Sequence, residues 1–589
     1  MAFLDGVRFD LCTFATLFSI PIFFINLPVF YKKWFYFWGT IFLLELFAGI
    51  GILAGDLVFF GFVKRHLASE LILASNDVNY IVNYALHHYL FQVILWISSF
   101  AIFVKILIKL IDKWFEKEKV IWWKEILRMG GYVGFCVIAI MGKLEPHGKP
   151  INIVDAYRYP EAEYGNLVLN GIFTTYQSIR SSRSFSYIFL KQSQAIKIAQ
   201  KVLIDKGEKI INSKYPLMRL RQKFNFKARR RYNVVILLME SWTAEYIDSF
   251  SRKHYGVTPN FDSLAEKGIR FINFYASGQR SVEGIAGVLT GIFTLPGLPY
   301  LGKGLEISNI VRIGKLLKAY GYHSIFIQTS KRRSFRMDGI ASALGFDEYY
   351  GEEDIPMLLK YNATEKPAFG YDYEGLMFLK KKLDHIKEPF FAFFFSGTTH
   401  PPFVLLDKRW EKYPHDPQGL NGYLNTLYYS DWAIGRFFQS AKKSPWFKNT
   451  IFIITGDHTV ASFRGADSRK NHWIPLLIYA PYILKPRIVK HIGSQLDILP
   501  TIIDLLNIKT PYTALGKSLF SRNPENFAIF SEGDTIGILN QKGYLNCVEN
   551  KVIKIKNLNK HDSETLKTIL FSLVQSEYTL LKKNRWYRK

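Results

Sequence analysis

Cysteine is nearly missing from this sequence: three occur in 589 residues. Cys12 and Cys136 lie in apolar runs and Cys547 stands far downstream, so no disulfide framework can be read. That leaves an extracytoplasmic location open; it says only that disulfides do not stabilise the fold. Acidic residues are also scarce, 49 Asp and Glu against 76 Lys and Arg, which gives a net charge of +27. Such an excess suits nucleic acid or an anionic membrane surface. No nucleic-acid motif occurs and the basic clusters flank apolar spans, so a membrane is the expected partner and nucleic acid is not. A cleavable signal-peptide pattern is missing, as are internal repeats and low-complexity segments. The chain is too long for a single hydrophobic core and should form at least two units.

Long apolar runs are present instead, all near the N-terminus. Leu11 to Tyr31 carries no charge over 21 residues, enough to cross a bilayer. Trp34 to Val63 is a second span, interrupted by Glu45 and Asp56, and Val78 to Val104 is a third. Met129 to Gly142 is shorter, with Trp122 and Trp123 as interface anchors and Lys124 and Arg128 snorkelling. Four spans are expected over 1–142, an integral, multi-pass membrane domain. Glu45 inside a span reads either as a functional carboxylate or as a buried structural one. Seven cations from Lys105 to Arg128 mark the loop between spans three and four as cytoplasmic. Everything after Lys143 is then extracytoplasmic, and Met1 as well.

Residues 143–232 are expected to be a juxtamembrane linker with helical stretches such as Ser193–Lys206. Its end is basic, with Arg219, Arg221, Lys223, Lys227, Arg229, Arg230 and Arg231, which suits contact with anionic lipid. From Asn233 to 589, short apolar strands alternate with helices, the pattern of an α/β sheet. Expected strands are Val234–Met239, Ser324–Gln328, Phe390–Phe395, Ile451–Thr455 and Leu476–Tyr479. Helices are expected over Ile310–Tyr320, Gly375–Ile386 and Tyr423–Ser440. Ala528 to Ile555 reads as hairpin-like strands before a final helix near Ser563–Leu581.

Two strand ends carry chemistry. Asn233–Met239 reads as a buried parallel strand that ends in the carboxylate of Glu240, and ligand groups gather at such ends. Downstream, Gly278-Gln279-Arg280-Ser281 places a hydroxyl in a Gly-preceded turn at a helix start, beside backbone N–H groups that can receive a phosphate. The plainer reading of Ser281 is a helix N-cap. The strand Phe452–Thr455 runs through Gly456 into Asp457-His458.

The strand ending in Glu240, the segment Pro259-Asn260-Phe261-Asp262-Ser263-Leu264-Ala265 and Gly456-Asp457-His458 resemble the alkaline phosphatase/sulfatase superfamily. Within it they most resemble the membrane-anchored lipoteichoic acid synthase and phosphoglycerol transferase branch. Gly6-Val7-Arg8-Phe9-Asp10-Leu11 and Asp56 to Arg65 resemble that branch's membrane domain. The family's usual five spans imply that this chain lacks the first helix or starts too late. The Cys/Ser-x-Pro-x-Arg signature of ordinary sulfatases is not found around Ser281, which argues against a formylglycine sulfatase. The resemblance implies an N-terminal polytopic helical membrane domain and a C-terminal sulfatase-like α/β domain.

Glu240, Ser281, Asp457 and His458 supply three oxygens and one imidazole nitrogen, a set that suits one divalent ion, Mn²⁺ first, with Mg²⁺ or Zn²⁺ as alternatives. Metal coordination would activate Ser281 as the nucleophile; the lipoteichoic acid synthases carry Thr there. The family's phosphate-binding His matches His400, and its Trp and Arg for glycerol phosphate match Phe335 and Arg336, with the Trp replaced. His472 reads either as a further phosphate contact or as a loop residue. Ser494 to Thr501 reads as a structural helix start below the site.

By this resemblance the protein is a cell-membrane phosphotransferase. It moves phosphoglycerol from phosphatidylglycerol through a covalent serine intermediate to a polymeric or glycan acceptor. A phosphoethanolamine transferase is the nearest alternative, and an inactive lipid-binding regulator the alternative from another class.

Overall fold

The computed structural model describes every residue except 1, 28, 30, 64, 68–85, 88, 116–121, 143–149, 158, 160–161, 182–185, 229, 364, 522–526 and 589. Two compact units result, one of residues 1–182 with 303–307, the other of 183–302 with 308–589.

Among its described residues the first unit contains the long helices Ala2–Ile25, Lys32–Val63, Leu90–Phe115 and Trp122–Met141 and the shorter Ala162–Val168 and Gly171–Ser181. Among the described residues, three helices are long and apolar enough to cross a membrane, Ala2–Ile25, Lys32–Gly61 and Leu90–Lys113. The fourth expected span corresponds to a shorter apolar stretch, Ile126–Met141, within the helix Trp122–Met141. The third span also shifts. Its expected start at Val78 lies outside the described residues, and the helix runs on past Val104 to Phe115. Lys105, Lys109 and Lys113 therefore belong to a helix, four residues apart on one exposed face, and not to a loop. Asp112 on that helix pairs with Lys32 at 2.5 Å and accepts from the Tyr36 hydroxyl at 2.5 Å. Asp56, which interrupts the second span, is buried; it accepts from Leu67 N at 2.7 Å and meets His66 Nδ1 at 2.7 Å.

In the second unit the strands are β1 (Glu208–Ile210), β2 (Arg219–Arg221), β3 (Asn233–Met239), β4 (Ile269–Tyr275), β5 (His323–Gln328), β6 (Glu348–Tyr350), β7 (Phe390–Phe395), β8 (Thr450–Gly456), β9 (Leu476–Tyr479), β10 (Arg487–Ser494), β11 (Pro511–Tyr512), β12 (Ala528–Glu532), β13 (Thr535–Leu539), β14 (Tyr544–Val548) and β15 (Lys551–Lys556). Eight form one mixed sheet in the order β10-β4-β9-β8-β3-β7-β5-β6. β3 lies between β7 and β8, parallel to both, with Met239 level with Gly456. That register brings the loops after β3, β7 and β8 to one edge. All seven residues of β3 and of β8 are buried, as are all six of β7, which explains their unbroken apolar sequences. β9 runs antiparallel to both neighbours. β12 to β15 form a separate antiparallel sheet, and a helix over Lys560–Lys582 follows.

Residues 187–221, placed by sequence in a linker, are sewn into this unit. β2 pairs with β1 and with β11. Phe189 N and Leu190 N donate to Gln575 Oε1 at 2.7 and 2.8 Å, and the Phe189 ring stacks on Phe571 at 4.0 Å. Arg219 and Arg221 are not lipid-facing; both are fully buried. Glu208 lies between them, 3.2 Å from Arg219 Nε and 2.9 Å from Arg221 Nη2, and Arg221 also approaches Asp205 and Asp504. Arg219 donates to the Ala514 carbonyl at 3.0 Å and lies 4.5 Å over the Tyr512 ring. Buried charges persist only with partners of this kind.

Candidate metal centre and nucleophile

Glu240 follows the last residue of β3 and is held there from both sides. Its N–H donates to Ser396 Oγ at 2.8 Å, and Thr399 Oγ1 donates to its carbonyl. The next residue, Ser241, has φ of 55°, a left-handed conformation that costs a serine energy and marks a constrained turn. The turn is fixed by Asp457. One carboxylate oxygen, Oδ1, accepts from both Ser241 N and His458 N at 2.7 Å. The other, Oδ2, is shielded from solvent and has no hydrogen-bond partner.

An orphaned carboxylate oxygen in a buried site calls for a cation. Its neighbours fit one. Glu240, Asp457 and His458 are buried and each offers a ligand atom, all within 4.8 Å of one another. His458 Nε2 lies 3.2 Å from Asp457 Oδ2 and 3.8 Å from Glu240 Oε1. His458 Nδ1 sits 2.9 Å from the Thr459 carbonyl, which fixes its proton there and leaves the Nε2 lone pair for a ligand. Burial first, and then the Asp457 carboxylate, push the Glu240 carboxyl well above the usual carboxylate range. A divalent ion would relieve that repulsion.

Ser281 completes the set. It is the first residue of the helix Ser281–Thr290, with Arg280 at the cap position. Its hydroxyl makes no capping bond; Oγ lies 3.3 Å from Glu240 Oε2 and 3.3 Å from His458 Nε2. The turn before it is shaped by Glu283, whose Oε2 accepts from Gln279 N at 2.7 Å and Arg280 N at 3.1 Å, while Oε1 pairs with the Arg280 guanidinium. The helix lies close on the metal-side turn through Gly284, where a Cβ would come within 2.4 Å of the Asp457 carbonyl.

The remaining residues singled out by sequence are placed differently. His400, half-buried in the loop after β7, has Nδ1 2.6 Å from the Pro401 carbonyl and meets the Phe369 ring edge-on at 4.3 Å. Burial, helped by the charge of His458, holds it below the usual histidine range against the pull of the Pro401 hydrogen bond and Asp457. Phe335 also packs on Phe369, ring centroids 5.4 Å apart, and is 52% exposed. Phe335 and Arg336 both have positive φ, 53° and 59°, so the segment is held in a strained turn. His472 does not join the cluster. It is fully buried, with Nδ1 2.8 Å from Ser468 O and Nε2 3.2 Å from Ser531 O.

Sequence reasoning passed over three supporting residues. Gln495 is buried and its amide spans the site: Oε1 accepts from Ser277 N at 2.9 Å, and Nε2 donates to Gly456 O and Asp457 O at 3.0 and 2.6 Å. Glu283 and Arg464 are the others. A lone polar residue in a loop carries no sequence signal for such roles.

Comparison with known proteins shows what the chain is similar to. The Sulfatase family matches residues 232–508. Lipoteichoic acid synthase 1 of Bacillus subtilis (strain 168) is 25% identical over 339 residues, covering 53% of this chain and 51% of that protein. Phosphoglycerol transferase I of Salmonella typhi is 25% identical over 238 residues, 39% of this chain and 31% of that protein. The chain thus spans about half the length of the first curated relatives it matches, at 52% and 51%. A solved structure of a protein in the alkaline phosphatase superfamily from Vibrio parahaemolyticus covers 69% of this chain and 99% of its own, at 24% identity and a TM-score of 0.59. Residues 232–508 are thus similar in sequence to the sulfatase family, and they lie in a sulfatase-like α/β domain built on a mixed sheet.

Proposed function

We propose that this protein transfers phosphoglycerol from phosphatidylglycerol to a cell-envelope acceptor through Ser281. The observation that carries the reading is the position of the Ser281 hydroxyl, 3.3 Å from both Glu240 and His458 at a helix start. The helix N-terminus offers backbone N–H groups to an incoming phosphate. Relatives named lipoteichoic acid synthase and phosphoglycerol transferase support the head group.

Glu240, Ser281, Asp457 and His458 would hold one divalent ion, Mn²⁺ in this reading. Such an ion supplies Lewis acidity and lowers the pKa of the hydroxyl. Ser281 Oγ then bonds to phosphorus as the bond to the diacylglycerol oxygen breaks, and the departing alkoxide takes up a proton. An acceptor hydroxyl next displaces Ser281 and receives the phosphoglycerol. His400, its Nδ1 committed to Pro401 O, keeps Nε2 for proton exchange with the leaving or entering hydroxyl. Phe335 and Arg336 line the approach for the head group. In this reading the apolar helices anchor the chain in the membrane that holds the lipid donor, and the chemistry takes place on its extracytoplasmic side.

Full-length protein incubated with head-group-labelled phosphatidylglycerol and Mn²⁺ tests this. Diacylglycerol should be released and a peptide containing Ser281 labelled. Ser281→Ala should lose both signals, with a fall in turnover of roughly a millionfold, as for other nucleophile deletions. Undiminished diacylglycerol release in Ser281→Ala overturns the nucleophile. Labelling by phosphatidylethanolamine alone overturns the donor.

A further inference from the structure

Arg464 is a guanidinium without an anion. It reaches across the site from the loop after Asp457-His458, and Nη2 donates to Gln279 O at 3.0 Å and Thr459 O at 2.6 Å. Nε donates to Thr459 Oγ1 at 3.1 Å, and Nη2 lies 3.3 Å from His458 Nδ1. The oxygens that accept from it are all neutral. Among the described residues no carboxylate lies within ion-pair distance of Arg464, and each nearby one is committed elsewhere. Glu283 pairs with Arg280 and two backbone N–H groups. Glu532 accepts from Ser468 and Asn471. Glu240 and Asp457 face the metal position.

The charge balance is correspondingly incomplete. With a divalent ion set against Glu240 and Asp457, Arg464 still has no carboxylate partner of its own. A phosphodiester would supply the missing negative charge. A second observation points the same way. The side-chain Nε2 of Gln279, two residues before Ser281, is shielded from solvent and has no hydrogen-bond partner. A buried donor of that kind is costly when left without an acceptor.

We propose that Arg464 and Gln279 form the oxyanion side of this site, binding a non-bridging oxygen of the phosphoryl group that passes through Ser281. Gln279 stands two residues before Ser281, and Arg464 bridges that turn to His458, so an anion bound by both lies beside the nucleophile. Arg464 suits the task because its fork holds protein oxygens with some N–H groups while others remain for the ligand. In the departing state the same pair faces the charge that develops on the phosphoryl oxygens.

The proposal rests on the phosphoryl-transfer reading, and its test is chosen to separate the two. Inorganic phosphate is titrated into full-length, Mn²⁺-loaded protein by calorimetry, alongside Mn²⁺ affinity, melting temperature and the KM and kcat for phosphatidylglycerol. Arg464→Gln and Gln279→Leu should each weaken phosphate binding by about tenfold or more, the usual loss for a hydrogen bond to a charged group, with Mn²⁺ affinity retained. Arg464→Lys should recover part of the phosphate affinity. Unchanged phosphate affinity in either variant, whatever its melting temperature, overturns the proposal and leaves Arg464 a tether between two loops. Should Arg464→Gln fail to fold, Gln279→Leu and Arg464→Lys decide by the same readout. Phosphate binding that depends on both residues in a protein that does not cleave phosphatidylglycerol sustains the anion site and refutes the donor. Cleavage through Ser281 with phosphate affinity indifferent to both refutes the anion site alone.

Discussion

The side-chain amide of Gln495 donates to the main-chain carbonyl of Asp457 at 2.6 Å. Its other end accepts from Ser277, in the turn that leads to Ser281, so one amide sets the spacing between nucleophile and metal ligand. Gln495→Ala should therefore lower kcat by about tenfold to a hundredfold, the effect of a small misplacement of reacting groups, with KM little changed. Gln495→Glu should do worse, because a carboxylate would face two carbonyls. Kinetics of both variants at saturating Mn²⁺ check this; equal kcat in Gln495→Ala and wild type would remove the positioning role.

Asp457→Ala and His458→Ala should each abolish binding of one divalent ion, measured by mass spectrometry of the dialysed protein. Asp457→Ala should also destabilise the apoprotein, since Oδ1 holds Ser241 N and His458 N. Loss of two such charged hydrogen bonds amounts to roughly 3–6 kcal/mol. Metal content equal to wild type in either variant would sink the ligand assignment.

Burial holds His400 below the usual histidine range, and the sign of its pH effect follows. Near pH 6.5 the unfolded chain binds a proton that the folded site refuses. Stability is undiminished above that pH and falls as pH drops below it, by at most about 1.4 kcal/mol per pH unit for one group. Denaturant midpoints between about pH 5 and 7.5 should show a shallower slope in His400→Gln. Identical slopes would show that His400 titrates alike in both states.

Glu208→Gln tests the buried arginine pair. It leaves Arg219 and Arg221 in a dry interior with a neutral neighbour, which should cost about 3–5 kcal/mol and lower the melting temperature. Activity per folded molecule should hold, because the network lies outside the site. A melting temperature equal to wild type would mean that Asp205 and Asp504 suffice.

How far the sequence is legible depends on how local the cause is. β3, β7 and β8 are buried on both faces and read directly as apolar runs, and their ends give Glu240, Asp457 and His458. β4 and β10 escaped because Arg270 and Asn273 interrupt one, and Arg487, Lys490 and His491 the other; mixed strands near the sheet margin carry no such run. Arg219 and Arg221 looked like a lipid-facing cluster because Asp504 and Tyr512, which help to bury them, lie almost 300 residues away. Lys105 marked a span end by charge alone, yet the helix runs ten residues further with its lysines on one face. Ser494 to Thr501 was read as structural packing below the site. That is its position, but the single amide that ties two catalytic turns together was not foreseeable from it.

The pairing of residues 187–221 with the far end of the chain has a consequence for the order of biosynthesis. A ribosome releases Phe189, Arg219 and Arg221 long before it makes Tyr512, Phe571 and Gln575. Until then the early segment has no partners for its buried guanidiniums or for the backbone groups that Gln575 receives. Closure of so long a loop is slow, and the waiting chain exposes apolar surface. The second unit is thus fastened last at its own beginning, so truncation of its final helix should release the segment at Phe189 and Leu190 before it disturbs the sheet that carries the site.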